Sequence, residues 1–290
     1  MLPEFEFVMP RSLDDALQVL AVGSPDVLPI AGGTNLTVDM RSGRYEPKVV
    51  VNIEKLPELS GIRRENGQIC VGGGVKIAEL LKDGLIAETA PVLKAACAVF
   101  ASPLIRNRAT VGGNLVDGSP AADTAPSLLA LDAEVELTSQ EGRRRIPLDE
   151  FFIHVRKTAR QPNEVVTALR WAVPKPGTGS AFYKLGLRKA DAISVVSVAV
   201  VLEVEKDVCR KARIALGSVA PRPIRAKNAE QFLIGKVLSR DVFEEAAALA
   251  AQAVSPISDV RASAEYRRRM SAVLTRRMLA QAAERAGWKE

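Results

Sequence analysis

A pair of adjacent glycines that ends a short apolar run constrains this fold most. Val27 to Ile30 is typical of a buried strand, and Gly32-Gly33 follows it, directly before Thr34, Asn35 and a predicted helix from Leu36. A strand that enters a Gly-Gly turn at a helix start leaves backbone N–H groups unpaired, and glycine lets an anionic ligand approach them. The same turn, capped by Thr34 or Asn35, is also an ordinary way to begin a helix.

A second glycine pair, Gly112-Gly113, lies further along the chain between Thr110 and Asn114. Hydroxyl and amide side chains at these positions suit phosphate and hydroxyl oxygens. Asp123 then stands before another predicted helix, which has Pro126 in its first turn. This carboxylate is either the N-cap of that helix or an acceptor for a ligand hydroxyl, and it could serve as both.

The two glycine turns differ from the common nucleotide-binding motifs. Neither is followed by Lys-Ser or Lys-Thr, which argues against a P-loop nucleotidase. Neither fits the Gly-x-Gly-x-x-Gly pattern of a dinucleotide-binding Rossmann fold. Two separate phosphate-cradling turns indicate instead a large ligand that lies between two lobes, with a pyrophosphate in its middle.

The segments around both turns, residues 31–35 and 106–114, resemble the FAD-binding subunit of molybdenum hydroxylases. These are the medium subunits of the xanthine dehydrogenase and aerobic carbon monoxide dehydrogenase family. The resemblance covers nearly the whole chain. Residues 5–16 are similar to the start of the family, 182–190 to the opening of its C-terminal domain, and 259–268 to the entry to its last helix.

The resemblance implies an α+β fold. It predicts an FAD-binding domain over residues 1–175, with lobes of about 1–55 and 56–175, of the type shared with vanillyl-alcohol-oxidase-like flavoproteins. A smaller α+β domain with an antiparallel sheet, of the carbon monoxide dehydrogenase flavoprotein type, would follow over residues 180–288. The Pro- and Gly-rich segment 174–180 is the predicted linker between them.

The resemblance also implies a set of cofactor-binding residues for one non-covalent FAD. The pyrophosphate would lie against both glycine turns, Val166 at the flavin edge and Lys184 near the ring, although Lys184 also fits a surface lysine at a strand end. The chain itself would contribute no catalytic residue and no metal ligand. The predicted FAD-binding residues are Pro29, Ile30, Ala31, Gly32, Gly33, Thr34, Asn35, Leu36, Phe100, Ala101, Thr110, Gly112, Gly113, Asn114, Asp123, Val166 and Lys184.

The function that the resemblance implies is electron transfer inside a heteromer. A large molybdopterin subunit would oxidise the substrate, and a small subunit with two [2Fe–2S] clusters would pass electrons to the FAD. The acceptor would be NAD⁺, a quinone or oxygen, and the assembly a dimer of heterotrimers. A stand-alone FAD oxidoreductase and a flavin-free scaffold that keeps the fold are the two alternatives.

Charge and composition limit the partners. The net charge is +6, but residues 261–290 alone hold eight Arg or Lys and three Glu, so the rest of the chain is nearly neutral. Because Tyr266 is the only aromatic residue among these charges on the predicted helix, a nucleic-acid surface is disfavoured. The basic helix is either solvated or docks a partner subunit.

The remaining composition predicts a cytoplasmic protein that does not enter a membrane. No apolar stretch approaches the roughly 18 residues of a membrane helix, and the first residues lack a signal-peptide pattern. The three cysteines, Cys70, Cys97 and Cys209, are far apart and suit core positions rather than a disulfide or an iron–sulfur site. His154 is the only histidine and has no partner for a metal site.

Overall fold

The computed structural model describes residues 1–23 and 26–289, beginning with a small three-stranded lobe. Strands β1 (Glu6–Val8), β2 (Val27–Ile30) and β3 (Val49–Asn52) are parallel, in the order β1-β3-β2. Helix α1 (Leu13–Gly23) buries one face on this sheet because its apolar residues recur at helical spacing. Helix α2 (Leu36–Arg41) follows the first glycine turn.

The second lobe is built on a five-stranded antiparallel sheet. Its strands are β4 (Ile62–Glu65), β5 (Gln68–Gly72), β6 (Glu134–Ser139), β7 (Gly142–Pro147) and β10 (Val165–Ala172), in the order β4-β5-β10-β6-β7. A small hairpin, β8 (Phe152–His154) with β9 (Lys157–Thr158), lies outside this sheet. The lobe's helices are α3 (Ile77–Lys82), α4 (Gly84–Thr89), α5 (Pro91–Ala98), α6 (Pro103–Arg106), α7 (Val111–Val116), α8 (Ala125–Ala130) and α9 (Leu148–Phe151), with a 3-10 turn at Pro57–Leu59.

The C-terminal part carries a four-stranded antiparallel sheet covered by helices. The strands are β11 (Thr178–Gly186), β12 (Ser194–Glu205), β13 (Val208–Gly217) and β14 (Ile224–Arg225), paired in that order. The helices are α10 (Lys227–Leu233), α11 (Arg240–Gln252) and α12 (Ala264–Arg285). Both faces of β12 are buried: Val198 and Val200 pack under the helices, while Ala199 and Val201 join the core of the preceding domain. This double burial explains why the strand is a nearly continuous apolar run.

Most of the secondary structure expected from the sequence is confirmed. The alternating segment 133–138 pairs with 143–148 in the β6–β7 hairpin, and Thr138 lies opposite Arg143. The helix predicted from Leu36 is present, as are the helix with Pro126 in its first turn and the basic C-terminal helix, whereas Gly112 and Gly113 lie inside the first turn of α7. Strands β1 and β4 are short and were not predicted.

The predicted linker is shorter than its composition indicates. Thr178 to Ser180 belong to β11, which leaves only the preceding residues between the two sheets. A Cβ atom on Gly179 would lie 1.9 Å from the Ala282 carbonyl oxygen in α12. Glycine is therefore needed there for close packing of the strand against α12 rather than for a flexible connection.

Within residues 1–23 and 26–289, the ion pairs between the first 175 residues and the C-terminal part that the structure describes have the same polarity. The acid always lies in the first part and the base in the second. Six such pairs are present: Asp123 with Lys184, Asp132 with Lys211, Arg213 and Arg225, and Asp149 with Arg222 and Lys227. No helix among the described residues is long and apolar enough to cross a membrane.

Candidate functional site

A cavity of about 460 Å³ opens between the two lobes, and both glycine turns line it. The structure thereby brings together segments that are more than seventy residues apart in the sequence. Thirteen of the predicted site residues are on its wall: Pro29, Ile30, Ala31, Gly32, Gly33, Thr34, Asn35, Leu36, Phe100, Ala101, Thr110, Gly113 and Asn114. Gly112, Asp123, Val166 and Lys184 are not among the lining residues.

The first glycine turn requires both of its glycines for different reasons. A Cβ atom on Gly32 would lie 2.1 Å from the carbonyl oxygen of Arg108, so a side chain there would push the two lobes apart. Gly33 has a φ of +69°, a conformation that other residues adopt at a cost. The turn therefore holds the end of β2 directly against the second lobe.

Backbone donors at this first turn are free. Asn35 occupies the N-cap position of α2, but its side chain makes no capping hydrogen bond. The N–H groups of Thr34, Asn35 and Leu36 donate to no residue within 1–23 or 26–289. Since these residues line the cavity, their N–H groups can donate to a ligand oxygen.

The second glycine turn is built differently, because Gly112 and Gly113 lie in the first turn of α7 and their backbone donors are already used. The N–H of Gly113 donates to Thr110 Oγ1 at 3.1 Å, and the N–H of Gly112 donates to the Gly73 carbonyl at 2.9 Å. A Cβ atom on Gly112 would lie 2.6 Å from that same carbonyl oxygen. Gly112 thus serves packing between two backbone segments, and side chains rather than backbone amides face the cavity from this turn.

Asp123 and Lys184 form a buried ion pair beside the cavity. Lys184 Nζ lies 2.6 Å from Asp123 Oδ2 and 3.2 Å from the carbonyl oxygen of Val99, which precedes the cavity-lining Phe100. The second carboxylate oxygen, Asp123 Oδ1, is buried without a hydrogen-bond partner. Burial raises the pKa of Asp123 to about 6, although the Lys184 ammonium opposes that rise.

Val166 also lies beside the cavity rather than in its wall. It is buried in β10, and a Cβ atom on Gly73 would lie 2.0 Å from its carbonyl oxygen. The triple glycine 72–74 therefore lets three backbone segments pack closely.

The cavity has a cationic wall that the sequence did not predict. Arg156, Lys157 and Arg160, from the β8–β9 hairpin and the residues after it, line the site together with Tyr45 and Asp39. Arg156 Nη1 donates to Asp39 Oδ2 at 2.7 Å and to Asp117 Oδ1 at 3.3 Å. The only sequence signal was three cations within five residues, and their position depends on the hairpin that folds them back.

The described residues offer little further chemistry. Within 1–23 and 26–289, no group of three or more His, Cys, Asp or Glu side chains could hold a metal ion. The three cysteines are buried, and burial raises the pKa of Cys97 to about 12 and that of Cys209 to about 11. These thiols are therefore core residues, as the sequence predicts.

Family comparisons identify the fold that carries this cavity. Residues 3–176 match the FAD binding domain in molybdopterin dehydrogenase, and residues 181–282 match the CO dehydrogenase flavoprotein C-terminal domain. The chain belongs to this family. The resemblance seen in the sequence is confirmed, as is the α+β fold with an FAD-binding domain followed by a smaller domain with an antiparallel sheet.

Known members of the family match this chain over nearly their whole length. It is 33% identical to the carbon monoxide dehydrogenase medium chain of Afipia carboxidovorans, over 99% of each chain. It is 32% identical to the xanthine dehydrogenase FAD-binding subunit of Escherichia coli O157:H7, over 96% of each. The structure of carbon monoxide dehydrogenase from Hydrogenophaga pseudoflava superposes with a TM-score of 0.95 at 32% identity, covering 98% of this chain and 99% of that one.

The residues of this FAD-binding family member fit the cofactor. The cavity between the lobes has the size range of cofactor sites, and its first turn supplies free backbone donors for phosphate oxygens. The buried Asp123 Oδ1 lacks a donor, which a ligand hydroxyl could supply. The cavity between the lobes therefore suits FAD, the cofactor that the matching family domain binds.

Proposed function

We propose that the chain is the FAD-carrying electron-transfer subunit of a molybdenum hydroxylase complex. The bound FAD would supply the redox chemistry, taking electrons from [2Fe–2S] clusters on a partner subunit and giving them to NAD⁺, a quinone or oxygen. The observation that carries the proposal is the cavity between the lobes, lined by both glycine turns.

Each glycine turn has its own role in this proposal. The free N–H groups of Thr34, Asn35 and Leu36 would donate to the pyrophosphate. Thr110 and Asn114 would contact the same region from the second lobe through their side chains. Asn114 Oδ1 already accepts from Thr124 Oγ1 at 2.7 Å, which holds the amide in place and leaves its NH2 group for the ligand.

The buried pair beside the cavity would serve the flavin half. Asp123 Oδ1 would accept a hydrogen bond from a ligand hydroxyl, and the Lys184 ammonium would stabilise negative charge on the nearby ring. Phe100 and Ala101 would contact the dinucleotide on this side, and Val166 would pack at its edge. No histidine or cysteine lies beside either glycine turn, so the cofactor would be held without a covalent bond.

The partners follow from the chemistry that the chain lacks. Among the described residues that line the cavity, there is no histidine or cysteine that could serve as base or nucleophile toward an organic substrate. We therefore place substrate oxidation on a large molybdopterin subunit and the iron–sulfur clusters on a small one, in a cytoplasmic dimer of heterotrimers. The exposed arginines of α12, among them Arg269 and Arg277, are a candidate docking face for a partner subunit.

Co-purification of the native complex tests this proposal. The chain, tagged in its native host, should bring down two further polypeptides together with FAD, iron and molybdenum. The isolated chain should bind FAD yet oxidise no aldehyde, purine or similar compound. A chain that binds FAD and oxidises such a compound without iron or molybdenum would be a stand-alone oxidoreductase. A chain that binds no flavin would be a scaffold.

A further inference from the structure

Arg160 is a cation in the cavity wall whose hydrogen bonds go to backbone carbonyl groups. Its Nη1 donates to the backbone carbonyl oxygens of Gln161, Pro162 and Glu164, at 3.0, 3.2 and 2.7 Å. No ion pair joins Arg160 to any residue within 1–23 or 26–289. The guanidinium is thus anchored by its own loop, and the carboxylate of Glu164 attracts its charge without forming an ion pair with it.

The nearest acid is already occupied by another residue. Both carboxylate oxygens of Glu164 accept from Arg144, at 2.6 and 2.8 Å, and one also accepts from the N–H of Gln161 at 2.6 Å. Arg156, in the same wall, differs because Asp39 and Asp117 both bind it. Burial lowers the pKa of Arg160, which shows that its charge is costly where it stands. A partly buried cation of this kind is stabilised by an anionic or π-rich ligand.

The position of Arg160 indicates which part of a dinucleotide it meets. Asp39 lies four residues, about 6 Å, beyond Asn35 along α2, and Asp117 caps the C-terminal end of α7. Arg156 binds both aspartates, so this wall lies past the two glycine turns, toward the C-terminal ends of the two helices. Tyr45 also lines the cavity and lies close enough to Arg160 to affect the pKa of its guanidinium.

Lys184 and Asp123 lie beside the cavity at a different place, next to Val99 and the cavity-lining Phe100. The proposed function puts the flavin half there and the pyrophosphate at the glycine turns. The adenine nucleotide half is then the part of the ligand that remains for the wall of Tyr45 and Arg160.

We propose that Arg160 binds the adenine nucleotide half of FAD and gives the site its preference for FAD over flavin mononucleotide. The inference rests on the proposed function. A guanidinium can donate to the adenylate phosphate or stack on the adenine ring, and both contacts are lost with its charge. Flavin mononucleotide lacks this half, so Arg160 adds nothing to its binding affinity.

Binding of FAD and flavin mononucleotide to the FAD-free chain tests the proposal. Arg160→Gln keeps an amide donor for the loop carbonyls but removes the charge, and Arg160→Lys keeps the charge. We expect Arg160→Gln to weaken FAD binding by about 10- to 100-fold and to change the binding of flavin mononucleotide by less than about twofold. Arg160→Lys should restore part of the loss. ADP should compete with FAD on the native chain and lose that ability on Arg160→Gln.

A matched control is Arg143→Leu, which removes the same charge from the exposed edge strand β7, outside the cavity. It should bind both flavins as the native chain does. Equal weakening of FAD and flavin mononucleotide by Arg160→Gln would overturn the inference, because Arg160 would then only hold its loop. Unchanged FAD binding would overturn it too. A native chain that binds no FAD would instead refute the proposed function.

Discussion

Lys184 and Asp123 join the two domains by a buried ion pair, with Nζ 2.6 Å from Oδ2. Only 6% of the lysine side chain and 10% of the aspartate side chain are exposed. Burial still dominates at the carboxyl, because it raises the pKa of Asp123 to about 6 despite the adjacent ammonium. The C-terminal sheet thus places a cation against an acid of the FAD-binding domain that is close to its protonation point near neutral pH.

The first prediction concerns the pH dependence of stability at Asp123. Its pKa is raised in the folded chain from 3.8 to about 6, so the folded state keeps a proton that the unfolded state releases. The free energy of unfolding contributed by this group therefore falls as the pH rises from about 4 to about 6. Urea unfolding of the FAD-free chain at several pH values should show this slope.

Asp123→Asn provides the comparison for that prediction, because it removes the titration but keeps the size. The stability of the native chain relative to this variant should fall across the same window. Identical pH profiles for the two proteins would mean that Asp123 titrates normally.

The second prediction concerns the reduction potential of the flavin. Lys184→Met removes a cation that would favour the anionic reduced flavin, so the midpoint potential of the FAD-loaded chain should fall. The double variant with Lys184→Met and Asp123→Asn removes both charges. Its midpoint potential should fall by less than that of the single variant Lys184→Met. Lys189→Met, in an exposed loop, is the control and should leave the potential unchanged. An unchanged midpoint potential in Lys184→Met would show that Lys184 has no electrostatic effect on the flavin ring.

The third prediction separates the roles of two glycines. Gly33→Val should abolish FAD binding, because it forces a positive φ on a branched residue next to the free backbone donors. Gly112→Ala should instead lower the stability of the FAD-free chain by about 1–3 kcal/mol, since its Cβ meets the Gly73 carbonyl.

The control for these glycines is Gly84→Ala, where an added Cβ meets nothing within 4 Å. It should leave both FAD binding and the thermal midpoint nearly unchanged. Full FAD loading of Gly33→Val would show that the first turn does not hold the pyrophosphate.

The fourth prediction concerns the domain interface at Asp132. Three cations, Lys211, Arg213 and Arg225, converge on this carboxyl and hold its pKa at about 2, although burial alone would raise it. Because the folded-state pKa is lowered, its stabilisation is present above about pH 4 and is lost as the pH falls toward 2. Asp132→Asn should cost about 1–2 kcal/mol at neutral pH and should flatten this acid dependence.

Chemical unfolding monitored separately in each domain checks the Asp132 prediction. We expect the variant to loosen the contact between the domains, so that the two transitions separate. Asp191→Asn, whose only ion-pair partner within 1–23 and 26–289 is the exposed Arg188, should behave as the native chain does. An unaltered single transition in Asp132→Asn would show that this cluster does not hold the domains together.

Local sequence patterns predicted many elements because their determinants are local. The alternating run at 133–138 and the turn at Gly142 specify the β6–β7 hairpin, and the glycine turn before Leu36 specifies the start of α2. Gly179 was predicted to lie in a linker because glycine in a strand has the same sequence signal as glycine in a linker. Only its contact with α12 distinguishes the two.

The two glycine turns show most clearly what the sequence determined and what the tertiary structure decided. The sequence alone determined that two glycine pairs occur in an order characteristic of the family, the first of them directly before a helix. The tertiary structure decided that the first turn keeps free N–H groups whereas Gly73 and Thr110 occupy those of the second. It also placed Arg160 in the cavity wall and paired Lys184 with Asp123. These arrangements depend on contacts between residues far apart in the chain, and such contacts leave no local pattern in the sequence.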